Sequence, residues 1–385
     1  MHQNNPVPLR RPARPRLATK VSWAAQAARW ISAAGLIAAA ALMTACGGGG
    51  GSSATGGSGS LTAASTAPAS GSATNSSNAS NASNTTGGTK TVSPAPVIAA
   101  ARALPASPVW VAYYGTASAI DIAQVAATFK LIVIDADPGS GTPAFSAAQI
   151  AALKANGAKV LSYLNFGACE KARTYWNTVP SGFVSCGANT AAQLGKYQGF
   201  QEYWMNPANA DYQNLILNYI APRLAATGVD GFMLDNFEIV GHSANASAGP
   251  CDAACAQGGL DLVKQLRDQF PNLAFVPNAA PVQAIGGTTG GVSFPWLIDG
   301  VLSEQVYLPA VSSSVVQQLQ AWQSAEQNLG RSNFFVGTLD YASSCTASSA
   351  AQSAWTSSQQ AGFSPLISTA SLSSICWWSF LPSGS

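Results

Sequence analysis

Short apolar runs alternate with helical spacing through residues 107–385. Runs at Val109–Tyr114, Leu131–Asp135, Lys159–Leu164, Gly231–Asp235, Leu273–Pro277, Gly300–Val306, Asn333–Leu339 and Pro365–Ser368 read as eight strands. Those in the middle are continuous rather than alternating, as expected of parallel strands covered on both faces. Ser146 with Gln149 makes a capping box for a helix to about Asn156, closed by Gly157. Asn206-Pro207 offers an N-cap and an N1 proline for a helix over 208–226. Further helices are expected at Ile120–Phe129, Gly259–Phe270, Val315–Leu329 and Ser349–Ala361. Eight βα units in about 280 residues is the count of a (β/α)8 barrel, so the fold class is α/β, a single TIM-type barrel. A doubly wound open sheet is the alternative, but no G-x-G-x-x-G follows the first strand.

The first hundred residues follow neither period. Residues 1–30 hold six basic side chains and no acid, and an apolar run, Ile31–Met43, leads into Thr44-Ala45-Cys46. The run is too short for a membrane span, which needs about 20 residues. Basic head, short apolar run and small residues before a cysteine resemble a lipoprotein signal, residues 1–45, with Cys46 as the lipid carrier. An ordinary secretory signal with an incidental cysteine is the other reading. Residues 46–106 are Gly/Ser/Ala/Asn- and then Pro/Ala-rich, a composition that reads as a disordered tether. About 55 such residues would reach roughly 40 Å. Gly47, rather than an acid, after Cys46 favours the outer membrane of a two-membrane cell over the inner. The domain, residues 107–385, is thus expected outside the cytoplasm, in the cell envelope.

Without residues 1–45 the balance is 12 basic against 16 acidic residues, a net charge of −4. That leaves no electrostatic footprint for nucleic acid. Six cysteines remain beyond Cys46, enough for three disulfides in an oxidising compartment. Local pairing (169–186, 251–255, 345–376) is expected among the 15 possibilities. With one histidine past the signal, His242, neither a zinc site nor a Ser-His-Asp triad is expected, and no cofactor motif occurs. No oligomer signal stands out, so a monomer is expected.

All sixteen acids fall in the domain, and five, Asp135, Glu170, Asp235, Glu304 and Asp340, sit at or just past strand ends. In a barrel those ends converge on one mouth. Val229-Asp230-Gly231…Asp235 and Ile298-Asp299-Gly300…Glu304 repeat one pattern, Asp-Gly opening a strand and a carboxylate closing it. Five strand residues span about 16 Å, which puts Asp230 and Asp299 at the far end as turn residues. Helix-face acids such as Asp211, Asp261, Asp268 and Glu326 are read as solvated. Two mouth carboxylates without a metal-ligand set point to acid and nucleophile work on a glycosidic bond. Binding of sugar hydroxyls, or pairing with Arg173 and Lys171, is the alternative. Tyr113, Tyr114, Tyr163, Trp176, Tyr203, Trp204, Tyr307 and Tyr341 lie near strand ends or in the loop after the third strand, where rings could pack on pyranose faces.

The ordered segments Trp110…Tyr113-Tyr114, Val133-Ile-Asp135, Tyr163…Gly167…Glu170…Arg173…Trp176, Tyr203-Trp204, Asp230-Gly231…Asp235, Asp299-Gly300…Glu304, Asp340-Tyr341 and Gly362-Phe363…Pro365 resemble glycoside hydrolase family 114, the endo-α-1,4-polygalactosaminidases. The resemblance runs over most of residues 108–370. It implies internal cleavage of α-linked galactosamine polymers by a retaining mechanism, with Asp235 as nucleophile and Glu304 as general acid/base. Tyr113, Asp135, Tyr163, Glu170, Arg173, Trp204, Tyr307, Asp340 and Tyr341 would bind substrate. Glu238, where another acid is expected in a slightly different frame, is an alternative participant. The competing function is a non-catalytic carbohydrate-binding envelope lipoprotein on the same barrel.

Overall fold

The computed structural model describes residues 100–382, apart from 138, 140–144 and 347. The signal segment, Cys46 and the tether up to residue 99 lie outside the described residues. All eight expected strands form: β1 Trp110–Tyr113, β2 Leu131–Ile134, β3 Lys159–Asn165, β4 Gly231–Asp235, β5 Ala274–Pro277, β6 Gly300–Glu304, β7 Phe335–Ala342 and β8 Ser364–Thr369. They are parallel to their neighbours and lie in chain order, β1 to β5 in one sheet and β6 to β8 in another. On one side an isolated parallel bridge, Asn278 to Leu302, joins the two sheets, and the Ala279 N–H donates to the Leu302 carbonyl at 2.8 Å. On the other, Trp110 Nε1 donates to the Ser364 carbonyl at 2.8 Å and the Tyr114 N–H to the Leu372 carbonyl at 2.7 Å.

Each strand gives side chains to a shared inner cluster, among them Trp110, Val133, Leu161, Met233, Val276, Leu302, Phe335 and Leu366. Alternate positions such as Val111, Ile132, Val160, Phe232, Phe275, Val301 and Ile367 pack in a second cluster with the helices. Burial of both faces is why the strands read as continuous apolar runs.

The crossovers match the expected helices in four places and depart in three. Ile122–Thr128, Ala147–Leu153, Ser313–Asn328 and Ser349–Gln360 form, and Ser146 and Gln149 make the expected capping box. The helix expected from 208 starts at Ala210, because Asn209 rather than Asn206 caps it. Asn206 Oδ1 instead accepts the Ala208 N–H at 2.9 Å, turning the chain ahead of the helix. A π turn at Ile216–Ile220 interrupts it just before Pro222, which has no N–H to continue the α pattern. The helix expected from 259 begins at Ala253, capped by Asp252. Gly258 and Gly259 hide its first turns, since a Cβ on either would meet Ala208 or Val240 at 2.3 Å. Between β5 and β6 there is no α-helix but two 3-10 turns, Val282–Gly286 and Phe294–Leu297, and a two-stranded hairpin. An insertion after β3 forms its own antiparallel sheet, Glu202–Met205 lying between Ala168–Glu170 and Gln193–Lys196. All three expected disulfides are present, and Cys169–Cys186 fastens this insertion. Among the described residues no helix is long and apolar enough to cross a membrane.

The far end of the strands corrects two expectations. Asp230 and Asp299 are more than turn residues, because each accepts a backbone N–H from the preceding strand: Val160 to Asp230 at 2.9 Å, Phe275 to Asp299 at 3.0 Å. The glycines that follow them let neighbouring strands close in, since a Cβ on Gly231 would stand 2.1 Å from the Ala274 carbonyl oxygen. Asp299 also faces three guanidiniums, Arg267 at 2.7 Å, Arg102 at 3.5 Å and Arg331 at 3.7 Å. Glu326, expected to be solvated, is buried and pairs with Arg331 at 2.9 Å. Arg102 adds charge to this cluster, and the buried Leu104 joins the inner apolar cluster.

Removing the one carboxylate that all three arginines share leaves buried, uncompensated positive charge, which typically costs about 3–5 kcal/mol. Asp299→Asn is therefore expected to lower unfolding free energy by about that amount in urea titrations. A loss below about 1 kcal/mol would show the cluster to be solvated.

Candidate active site

Asp235 closes β4 and Glu304 closes β6, with Asn278 just past the end of the intervening β5. The Asn278 amide reaches both: Nδ2 donates to Asp235 Oδ1 at 2.9 Å and to Glu304 Oε1 at 2.8 Å. Two bonds from one nitrogen put those oxygens at most about 5.7 Å apart, and the ~120° spread of an amide's two hydrogens sets them at about 5 Å. The Tyr341 hydroxyl, from β7, donates to the other oxygen of Glu304. Tyr163, from β3, donates to Glu170 Oε1 at 2.8 Å and is also within hydrogen-bond reach of Asp235. Arg173 then bonds Glu170 and, at 2.8 Å, Asp135 Oδ2, with its guanidinium 5.1 Å from the centre of the Tyr163 ring. One continuous polar chain thus runs from Asp135 through Arg173, Glu170, Tyr163, Asp235 and Asn278 to Glu304 and Tyr341. For Asp135 and Glu170, the pairing reading of the sequence is the one realised.

Below this chain lies a second layer of acids. Glu202, on the inserted sheet, accepts from Asn165 Nδ2 at 2.8 Å, and Asn165 Oδ1 accepts from Asn236 Nδ2 at 2.8 Å. Glu238 follows Asp235 by three residues and has a buried Oε2 with no hydrogen-bond partner among the described residues. Burial raises the carboxyl pKa of Glu202, Asp235, Glu238 and Glu304. Glu238 is pushed to about 8 by burial and then by Asp235. Glu304 is pushed to about 7 by burial and then by Asp235, against the bonds from Tyr341 and Asn278. Glu202 rises by burial, then by Glu170 and Asp235. Asp235 rises by burial too, but bonds from Asn278, Tyr163 and the Asn236 backbone oppose the shift. Hydrogen bonds thus work against burial at both carboxyls, and Glu304 still stands near 7.

The structure brings Asp135, Tyr163, Glu170, Arg173, Asp235, Glu238, Glu304 and Tyr341 together as the sequence suggested. Four other expected residues stand elsewhere. Tyr113 points to the outer face of β1, bonding the Thr116 carbonyl at 2.8 Å, because strand side chains alternate. Its neighbour Tyr114 takes the inner face and meets the Tyr163 ring at 5.6 Å. Asp340 is fully buried, and its Oδ1 accepts the N–H groups of Tyr307 at 2.7 Å and Leu308 at 2.9 Å, so it holds the loop after β6 rather than facing the mouth. Tyr307 packs in the outer cluster. Trp204 is buried between Tyr197, stacked at 4.2 Å, and His242 at 4.8 Å. His242 is tied to the Gly249 carbonyl at 2.8 Å. Sequence reasoning missed Asn278 and Glu202. Asn278 follows the apolar run of β5 as Asp235 and Glu304 end theirs, a positional signal that a search limited to acids passes over.

Two buried carboxyls at the carboxyl ends of parallel strands, one strand apart and beside Tyr163 and Tyr341, are the arrangement that glycoside hydrolysis calls for. The fold is similar to the glycoside hydrolase domain of PelA from Pseudomonas aeruginosa, at 16% identity and a TM-score of 0.51 over 69% of this chain and 97% of that one. A single-residue variant of that domain gives 15% identity and a TM-score of 0.50 over the same shares. No curated protein matches the sequence. The model of glycoside-hydrolase family GH114 matches residues 95–266, which supports membership in that family. That match includes Asp235, while Asn278, Glu304 and Tyr341 lie beyond it.

The raised carboxyls have a consequence for stability. A group at about 4.5 when unfolded and about 7 to 8 when folded binds more protons in the native state throughout that window. Stability therefore falls as pH rises from about 4.5 to 8, and is fully present below it. The melting temperature is expected to drop between pH 5 and pH 8, and Glu238→Gln to shrink that drop by raising the pH 8 value. A melting temperature that rises over the same range would contradict it.

Proposed function

We propose that the protein is an exported endo-glycosidase that cleaves α-1,4-linked galactosamine-containing polysaccharide with retention of configuration, on a strand layer closed as a (β/α)8 barrel. The observation that carries the reading is the separation of Asp235 and Glu304. Both accept from one nitrogen, at 2.9 and 2.8 Å, so their bridged oxygens are at most about 5.7 Å apart, which fits the ~5–5.5 Å of retaining glycosidases and falls short of the ~6.5–9.5 Å that leaves room for an inverting water. The two sheets of parallel strands, bridged at Asn278 and sharing one inner cluster, support the barrel.

In this reading Glu304 enters protonated and gives its proton to the glycosidic oxygen as the bond to the anomeric carbon breaks. An ionised Asp235 oxygen attacks that carbon and forms a glycosyl ester. Glu304, now a carboxylate, takes a proton from water, which displaces Asp235 and restores both groups. Burial raises both carboxyls, and Glu304, held at about 7, suits the acid, which must keep a proton near neutrality. A mouth rich in carboxyls, whose one buried arginine is already engaged by Asp135 and Glu170, favours a cationic sugar. Asp135, Glu170, Tyr163 and Tyr341 would line the sugar site, with Tyr114 in place of Tyr113. A lipid on Cys46 and the tether over 46–99 would hold a monomeric domain off the membrane.

On partially deacetylated α-1,4-galactosamine polymer the protein is expected to release short oligomers whose new reducing ends appear first as the α-anomer by proton NMR. Asp235→Asn should abolish release, and Glu304→Gln should lower it about 10²–10⁴-fold. The rate should fall as pH rises through about 7, where Glu304 loses its proton. First appearance of the β-anomer, or full activity in either variant, would sink the assigned roles. Cys46→Ser should leave this activity intact and remove radiolabelled palmitate incorporation.

A further inference from the structure

We propose that Asn278 is the positioning residue of this site, its single amide fixing both the separation and the proton affinity of Asp235 and Glu304. The inference rests on the retaining two-carboxylate reading above.

The backbone of Asn278 is itself held from three strands. Its N–H donates to the Leu234 carbonyl of β4 at 2.9 Å, it pairs with Leu302 of β6, and it directly follows Pro277 of β5. Ala279, the next residue, has a positive φ of 56°, a conformation L side chains other than Asn and Asp rarely adopt. Its N–H there donates to the Leu302 carbonyl, which anchors the turn. Asn278 thus sits on a backbone link between the two sheets at the level of the carboxyl ends of both flanking strands, while the Asp299 N–H bond to the Phe275 carbonyl at 2.8 Å joins them at the far end. Its amide orientation is decided by chemistry: a flipped side chain would aim the carbonyl oxygen at two carboxyl oxygens.

A side-chain amide suits this position because its two hydrogens diverge by a fixed angle. A hydroxyl has one hydrogen and could bond only one partner at a time. A lysine would bring a charge that lowers both proton affinities together and would deprive Glu304 of its acid form. The neutral amide keeps the two carboxyls at working distance while favouring the ionised form of each by hydrogen bonding alone. Its contribution is read against every other group facing the pair. Around Asp235 these are Tyr163 from β3, Glu170, Glu202 and Tyr197 from the insertion, Glu238 after β4, Tyr114 from the end of β1 and Tyr341 from β7, and Tyr197 faces Glu304 as well. Around Glu304 they are Tyr341 from β7, Tyr114 from β1 and Glu238. Arg173 reaches the pair only through Glu170 and Tyr163.

The test uses the full chain with Asn278→Leu, close in shape but without a donor, and Asn278→Asp as a second variant. Carbon-13 NMR of carboxyl-labelled protein, without substrate, follows the titration of Asp235 and Glu304. Both midpoints are expected to rise in Asn278→Leu, and in Asn278→Asp the two to spread further apart through a third carboxyl. With polymer, kcat should fall about 10²-fold in Asn278→Leu, KM should stay within about twofold, and the whole pH profile should move to higher pH. A fold-only role would lower the melting temperature and leave the profile in place. Midpoints unchanged in both variants, or a kcat within threefold of wild type in Asn278→Leu, would overturn the proposal. If wild type cleaves no polymer, the functional reading fails, and the substrate-free titration still decides the part played by Asn278.

Discussion

Two carboxyl groups about 5 Å apart at the bottom of a mouth cannot both carry full charge freely. At an effective dielectric constant near 20, their mutual repulsion is about 3 kcal/mol, or roughly two pKa units. That repulsion, added to desolvation, is the cost around which the surrounding residues are arranged. Hydrogen bonding opposes the rise at both groups: Asn278 donates to Asp235, and Asn278 and Tyr341 donate to Glu304, which is left near 7. Further back, Glu202 and Glu238 lie against the same pair with no cation directly between, so protons rather than counter-ions keep the region near neutral charge. The lone arginine of the mouth is spent on Asp135 and Glu170, at the edge of the chain of bonds rather than at its centre.

The opposite end of the strands meets charge in the opposite way. There a single carboxylate, Asp299, faces Arg102, Arg267 and Arg331, with Glu326 beside the last. Burial lowers the proton affinity of Arg267 and Arg331 and raises that of Asp299 and Glu326, so both signs are under strain and relieve each other. The strand layer therefore carries an excess of acid at its carboxyl end and an excess of base at its amino end. Both rest on the repeated Asp-Gly-strand-acid segments, in which one aspartate stitches a strand at its start and one carboxyl is presented at its finish.

Those segments explain how much could be read from the sequence. Strand period and strand-end acids are local properties, so the eight strands, Asp235, Glu304 and most of the polar chain were legible in residue order. What failed was everything that depends on which face a side chain takes or on what approaches from afar. Tyr113 and Tyr114 are adjacent, and only the register of β1 sends the second inward. Asp340 lies near the end of β7, two residues short of it, yet the loop after β6 folds over it and takes its oxygen for two backbone N–H groups. Glu202 reaches the mouth because an insertion folds back across it, and no local pattern announces that return. Asn278 carries no charge and so escaped a search organised around charge.

The insertion after β3 separates two kinds of change. Asp235, Asn278 and Glu304 stand on strand ends whose spacing the whole layer fixes. Glu170, Glu202 and Tyr197 arrive on a small sheet with its own hydrogen-bond ladder and its own disulfide. One wall of the cavity is therefore a replaceable part. A lineage could exchange that wall for another of different shape or charge, and so alter which polymer is gripped, while the distance that governs bond cleavage stays untouched.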